Sequence, residues 1–359
     1  MATTTIGYDV HGLAALRVLG ASPADAAVID RQLGGLRASL DRDPDVVVRF
    51  VDRIEGSGPV RLLGLGEAGF TDDAFLLLRS RHKARARVRI ELDRAGRGGE
   101  IVSERGVPAI PLLVAIVNLS VLANGGLPLH ASAFLHGDTG VVATGWSKGG
   151  KTESLLAFMA RGARFVGDEW VYVEPGGARV HGLPEPIRLW DWQIRQLAGV
   201  RARVPAGQRR RLAALRAAAV GARARAPERV AALLERQRHV DVAPARLFDD
   251  AGIALSAPFD RLFLMSSWEE PEIRVRPIAG AEVAARMASS LQYERAPLTA
   301  AYEQFRFAFP DRANPLLEDA PRRERELLDA IMAGREAHAV DHPYPVRLEG
   351  LFETMSPLV

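Results

Sequence analysis

The chain has 359 residues, 48% hydrophobic and 25% charged, with a net charge of +3. That length allows a full buried core and about two domains, and so mild a charge gives no reason to expect a nucleic-acid partner. The absence of cysteine excludes a disulfide framework, a thiolate zinc site and a cysteine nucleophile. It also fits a reducing compartment, and residues 1–5 carry no basic-then-apolar leader, so a cytoplasmic protein is expected.

In chain order, Ser22-Pro23 opens a predicted helix over residues 24–40, with Ser at the cap and Pro at the first helical position. Strand character follows at 45–51, 59–65, 74–78 and 84–92, with turn residues 55–58 between the first two. Residues 1–105 therefore read as an N-terminal α+β domain with a mainly antiparallel sheet. Within it, Gly64-Leu65-Gly66-Glu67-Ala68-Gly69 matches the dinucleotide fingerprint, but the residues after it look turn-like and then extended. The fingerprint needs a helix there, so a glycine-rich hairpin is expected instead. Lys83, Arg85, Arg87 and Arg89 alternate with apolar residues, the pattern of a half-buried strand with a solvated basic face.

The longest apolar run, 107–123, is broken by Pro108, Pro111, Asn118 and Ser120 and falls short of the roughly 20 residues a bilayer needs. It reads as a buried helix ended by Gly125-Gly126, and no membrane partner is expected. Residues 106–359 form the expected second domain. Its first strand, 129–135, turns through 136–140 into a second strand ending at Thr144. With the turn centred on Asp138-Thr139, paired positions sum to about 277, which sets His130 opposite residues 146–148.

Next comes Gly145-Trp146-Ser147-Lys148-Gly149-Gly150-Lys151-Thr152, followed by a predicted helix from Glu153 closed near Gly162. Strand, glycine loop and helix is the setting of a phosphate-binding loop. Its amides form an anion nest at a helix N-terminus; Lys151 would reach the β/γ-phosphates of ATP and Thr152 would ligate Mg²⁺. The chain has only three lysines, Lys83, Lys148 and Lys151, and two of them lie in this loop. Arginine substitutes poorly for a compact ammonium on phosphate.

The helix carries the chain roughly 15 Å away and strand 163–167 returns it about 17 Å, so Asp168-Glu169 arrive level with the loop. Carboxylates delivered there suit a Mg²⁺ site or a general base. Downstream, Arg188 is a candidate phosphate contact, although a surface ion pair is the better reading. Residues 199–242 form an Ala/Arg-rich helical insertion, either a lid whose arginines face phosphate or a solvated basic pair. A core strand over 259–268, a strand beside it at 273–276, and helices at 282–293, 298–305 and 322–333 follow. His338 and His342 have metal-like spacing with no third ligand cluster, so no metal site is assigned to them.

Leu129-His130, the loop from Gly145 to Thr152, Glu153, Arg161-Gly162 and Asp168-Glu169 together resemble the catalytic core of the HPr kinase/phosphorylase family, with its phosphoenolpyruvate-carboxykinase type of fold, over residues 129–173. The resemblance implies an α/β fold with a mixed sheet flanked by helices, ATP and Mg²⁺ held by the loop through Glu153, and a kinase. Catalytic roles would fall to Lys151, to Asp168 as general base, to His130 as its proton-relay partner and to Glu169. Thr152, Asp168 and Glu169 would hold the metal. The family has Asp-Asp where this chain has Asp168-Glu169, and its substrate-binding loops have no counterpart here, so its substrate does not carry over. The expected acceptor is a hydroxyl on a protein, peptide or small molecule, with homo-oligomerisation left open. The alternative is a non-catalytic ATP-binding regulator or scaffold.

Overall fold

The computed structural model describes residues 5–55, 58–64, 66–79, 85–225 and 228–359, and is a mixed α/β structure with two large sheets. The first comprises β1 (Thr5–Val10), β2 (Ala14–Leu19), β3 (Val46–Val51), β4 (Arg61–Leu63), β5 (Ala68–Phe70), β6 (Phe75–Arg79), β7 (Arg85–Ile90) and β8 (Gly99–Glu104), in the order β1-β2-β3-β8-β7-β6-β5-β4. Only the β2–β3 and β3–β8 joins are parallel. The β1–β2 hairpin, unexpected from sequence, turns on His11 and Gly12, both at positive φ. Helix α1 (Pro23–Leu33) is capped as expected, the Ser22 hydroxyl accepting from the Asp25 amide, but ends seven residues early, passing into a 3₁₀ turn at Gly34-Gly35. The fingerprint-like glycines lie in the antiparallel β4–β5 hairpin, Gly64 and Gly66 both at positive φ, and lead into a strand rather than a helix. On β7, Arg87 and Arg89 pair with Glu104 and Glu100 across the sheet surface. Lys83 and turn residues 56–57 lie outside the described residues.

Helix α2 (Leu113–Ala123) packs on this first core. It starts later than the apolar run because Pro108 and Pro111 precede it. The second sheet follows: β9 (Leu127–His136), β10 (Thr139–Gly145), helix α3 (Lys151–Met159), β11 (Arg164–Gly167), β12 (Trp170–Val173) and β13 (Arg179–Gly182). The two-stranded ribbon β14 (Ile187–Trp190) and β15 (His239–Val242) then brackets α4 (Asp191–Gln196), α5 (Ala198–Arg203), α6 (Ala206–Arg225) and α7 (Glu228–Arg236). After α8 (Pro244–Leu247) come β16 (Ser256–Pro258), β17 (Arg261–Trp268), β18 (Arg274–Ala279), α9 (Gly280–Ala308), α10 (Pro315–Met332), β19 (Glu336–Pro343) and α11 (Leu348–Met355).

Strand order is β16-β13-β12-β9-β10-β17-β19-β18, with β11 also on β9. The expected neighbour of β17 is corrected: 274–279 pairs with β19, which lies between them. One face of the sheet packs Leu129, Val142 and Leu264 against Val283, Met287 and Leu328 of α9 and α10. The other packs Phe134, Ala143 and Phe263 against Leu155 and Phe158 of α3 and Leu351 of α11. The strands' alternation delivers both sets, since successive side chains point to opposite faces.

The two helices expected at 282–293 and 298–305 are one, α9, 29 residues long and running through Pro297. Proline in a helix interior removes one backbone hydrogen bond; here packing on both sides of it maintains the helix. Val283 and Met287 sit on the second sheet, while Leu298 and Phe305 belong to the first core. Phe305 meets Phe75 edge to face at 5.8 Å, and Asn314 donates to the Leu92 and Ala95 carbonyls. α9 thus spans both halves of the molecule.

Candidate nucleotide and phosphoryl-transfer site

The β9–β10 turn is Gly137-Asp138, with Gly137 at φ 59° as its first central residue. Paired positions therefore sum to 275, not 277, as Gly140 opposite Leu135 defines. This register moves His130 level with Gly145, and the Thr144 hydroxyl donates to the His130 carbonyl at 3.3 Å. The shift follows from turn chemistry: a two-residue hairpin puts glycine at its positive-φ position.

Beyond Gly145 the chain wraps into an open loop before α3. Gly145 has φ 144°, and a Cβ there would stand 2.4 Å from the Met265 carbonyl oxygen. Gly150, at φ 108°, lies so close to His342 that a Cβ would reach within 1.9 Å of its Nε2. His342, fully buried, sits beneath the loop with Nε2 2.9 Å from the Gly149 carbonyl oxygen. Trp146, Ser147 and Lys148 are exposed, and Lys148 adopts φ 64°. The Lys151 ammonium folds back on the loop, donating to the Trp146 carbonyl at 2.9 Å and to that of Gly145 at 3.4 Å. Burial pulls its pKa down, while Glu169, Asp168, Glu294 and Glu153 oppose that shift. Glu153 is buried, with its pKa raised by that burial, and accepts from Gln193 of α4 at 2.9 Å.

Asp168 and Glu169 stand where β11 ends. The Trp170 amide donates to the Asp168 carbonyl at 2.9 Å across Glu169, whose φ is 67°, making a γ-type turn. The tight turn splays the two carboxylates. Asp168 points inward and is buried. It accepts from the Thr152 hydroxyl at 3.0 and 3.1 Å and from Ser132. Burial and the neighbouring Glu169 charge push its pKa up to about 7, against the pull of Ser132, Thr152 and Lys151. Glu169 points outward, its side chain 56% exposed, and is held low chiefly by the hydrogen bond with His130.

The expected His130–Asp168 pairing is corrected. His130 Nε2 lies 3.1 Å from Glu169 Oε2, and Nδ1 lies 3.2 Å from Glu294 Oε1 of α9. Nδ1 makes no hydrogen bond that meets the usual angle, so Glu294 flanks the ring rather than capping it. Because Glu169 turns outward, it takes the histidine, while Asp168 takes the two hydroxyls.

Arg188 forms the expected surface pair with Asp241 at 2.9 Å, yet its charge also helps lower Glu169. The expected insertion is helical only through α5, α6 and α7, its last residues, His239–Val242, being strand β15; Arg216 and Arg238 contact Asp191. His338 lies against Phe263, ring centroids 5.8 Å apart and tilted by 31°, and His342 bonds the loop. Neither approaches a third ligand: among the described residues no group of three or more His, Cys, Asp or Glu could hold a metal ion. A phosphate-loop Mg²⁺ site needs no such cage, because one or two protein oxygens plus phosphate complete it. The Thr152 hydroxyl and Asp168 carboxylate supply hard oxygens of the right kind.

Two residues of this site, Ser132 and Glu294, are not singled out by the sequence, and His342 is noted there only for its spacing from His338, not as a support of the loop. The alternation placing Ser132 beside His130 on one strand face was a usable signal for the first. A cavity of about 860 Å³ opens elsewhere, at the far end of α3, among Arg161, Gln196, Arg203, Phe248 and Arg347. No helix among the described residues is long and apolar enough to cross a membrane. No protein-family model and no curated protein matches this chain.

Proposed function

We propose that this chain is an ATP- and Mg²⁺-dependent kinase, built on the HPr kinase type of core, that transfers the γ-phosphoryl group to a hydroxyl acceptor. What carries the reading is the contact of Asp168 with Thr152 beside Lys151, which joins a phosphate loop to a buried carboxylate of raised pKa. A binding module needs the loop; a base poised near neutrality serves chemistry.

The loop amides and the N-terminus of α3 cradle the phosphates, and Lys151 exchanges its carbonyl partners for phosphate oxygen. Thr152 and Asp168 would hold Mg²⁺ from one side, with Glu169 as a further oxygen donor; the ion would neutralise β- and γ-phosphate charge. Asp168 accepts the proton of the acceptor hydroxyl as the new O–P bond forms and the bond to the β-phosphate oxygen breaks, releasing ADP. His130, held between Glu169 and Glu294, orients Glu169 at the mouth. Arg188 adds positive charge on that side.

The test is incubation with γ-labelled ATP, Mg²⁺ and a host-cell extract split into macromolecular and small-molecule fractions, with Lys151→Ala as control. Label is expected in one fraction only with the wild-type protein. Label in neither, together with unaltered ATP binding, would leave a nucleotide-binding regulator as the better description.

A further inference from the structure

We propose that Trp192 and Tyr344 form the nucleobase platform of the site, so that the ligand is a nucleoside polyphosphate rather than a bare polyphosphate. This rests on the phosphate-loop reading above.

The loop has a polarity. In such loops the backbone amides at the helix start hold the α- and β-phosphates, and the lysine reaches the β- and γ-phosphates. The Lys151 ammonium donates to the Trp146 carbonyl, and of the carboxylates acting on it Glu169 and Asp168 outweigh Glu294 and Glu153, which marks the side of the acidic pair as the transfer end. Thr152 faces Asp168 and so belongs with that end; the nucleoside therefore leaves past the next residue of the first turn of α3, Glu153.

At that turn stands an aromatic pair. Tyr344 is 52% exposed and meets Trp192 edge to face, ring centroids 5.7 Å apart at 86°. Trp192 immediately precedes Gln193, whose amide donates to the Glu153 carboxylate at 2.9 Å, and this brings the pair to the first turn of α3. Both rings sit on anchored backbone. Gln193, next to Trp192, bonds Glu153; Gln196 donates to the Val346 carbonyl at 3.0 Å and accepts from the Leu348 amide at 3.0 Å. His342, two residues before Tyr344, is fixed to the Gly149 carbonyl. An exposed aromatic face held rigidly beside an α-phosphate position is suited to stacking on a base. A second exposed aromatic pair, Trp146 with Tyr293 at 4.9 Å, belongs to the transfer end, since Tyr293 adjoins Glu294.

Calorimetric titration of the full chain with Mg-ATP and with Mg-tripolyphosphate tests the assignment. Tyr344→Ala is expected to weaken ATP binding about tenfold or more while leaving tripolyphosphate binding unchanged, which also reports an intact loop. Tyr344→Phe is expected to retain ATP affinity. Wild-type ATP affinity in Tyr344→Ala, or an equal loss for both ligands, overturns the platform alone. A wild-type chain that binds neither ligand overturns the phosphate-loop reading and the platform with it.

Discussion

Thr152 and Asp168, 16 residues apart, are joined by a bifurcated hydrogen bond, the threonine hydroxyl 3.0 Å from one carboxylate oxygen and 3.1 Å from the other. One residue lies in the first turn of α3 and the other directly follows β11, so the contact measures how well helix and returning strand match in length. It places a buried carboxylate against the residue best suited to hold Mg²⁺, and the pH behaviour of the protein follows from it.

Asp168 must be ionised to accept a proton, and its pKa stands near 7. Mg²⁺ on the same carboxylate would pull that value down, so transfer should climb about tenfold per pH unit to a plateau that begins below pH 7 and moves to lower pH as Mg²⁺ is raised, as pH–rate profiles at two Mg²⁺ concentrations would record. Asp168→Asn should lower the plateau by about 100-fold or more. The stability effect has the opposite sign. An unfolded aspartate ionises near pH 4, so between about pH 4 and 7 the native state keeps a proton the unfolded chain has lost. The stabilisation is complete below the lower value and lost as pH rises through the upper one. Asp168→Asn should thus be the more stable form at pH 8, by something on the order of 2 kcal/mol, the gap closing near pH 4. Denaturant melts at both pH values decide it; a variant less stable than wild type at pH 8 would mean the carboxylate is not held against its ionisation.

Lys151 is enclosed, with its ammonium on two loop carbonyls. Lys151→Ala should abolish measurable transfer, a loss of about 100-fold or more, and weaken nucleotide binding. Lys151→Arg should fail to restore it, because a planar guanidinium does not fit where a point charge is wrapped by backbone. Substantial activity in the arginine variant would place the phosphate elsewhere.

Much of this site was legible in the sequence because it is local. Strand, loop and helix are contiguous, and the return of Asp168 follows from counting residues along one helix and one strand. What escaped depends on distant pairing. The hairpin register differs by two from the expected one because the turn centres on Gly137-Asp138 rather than Asp138-Thr139, and glycine takes the positive φ at residue 137 at little cost. His130 pairs with Glu169 rather than the expected Asp168 because Glu169 turns outward through a positive φ, which no side-chain pattern announces. Glu294 is hidden in the sequence because it falls between the expected helices 282–293 and 298–305, whereas packing on two cores carries one helix through it. The merging of both halves of the molecule through α9 is likewise tertiary, and local propensity does not contain it.

Glu294 and Glu169 approach His130 from opposite nitrogens, at 3.2 and 3.1 Å. Residues sharing one partner should not act independently. In a double-mutant cycle on transfer rate, Glu169→Gln and Glu294→Gln should each slow the reaction, with a coupling of about 0.5 kcal/mol or more. Strict additivity would show that Glu294 merely fills space beside the ring.

The close approach of Gly150 to His342 gives a further test, because two substitutions strain the same contact from opposite sides. Gly150→Ala adds a Cβ at a left-handed φ and drives it into the imidazole, so the loop must shift; nucleotide affinity should fall by about tenfold or more, in line with a lost set of oriented amides. His342→Ala removes the buried partner of the Gly149 carbonyl and leaves a cavity under the loop, costing about 2 kcal/mol of stability. In the double variant the space vacated by the imidazole accommodates the new methyl, so nucleotide affinity should recover part of what Gly150→Ala loses, although the left-handed backbone cost persists. Titration calorimetry of the three variants measures this. An affinity in the double variant no better than in Gly150→Ala would assign the loss to backbone conformation alone and remove His342 from the support of the loop.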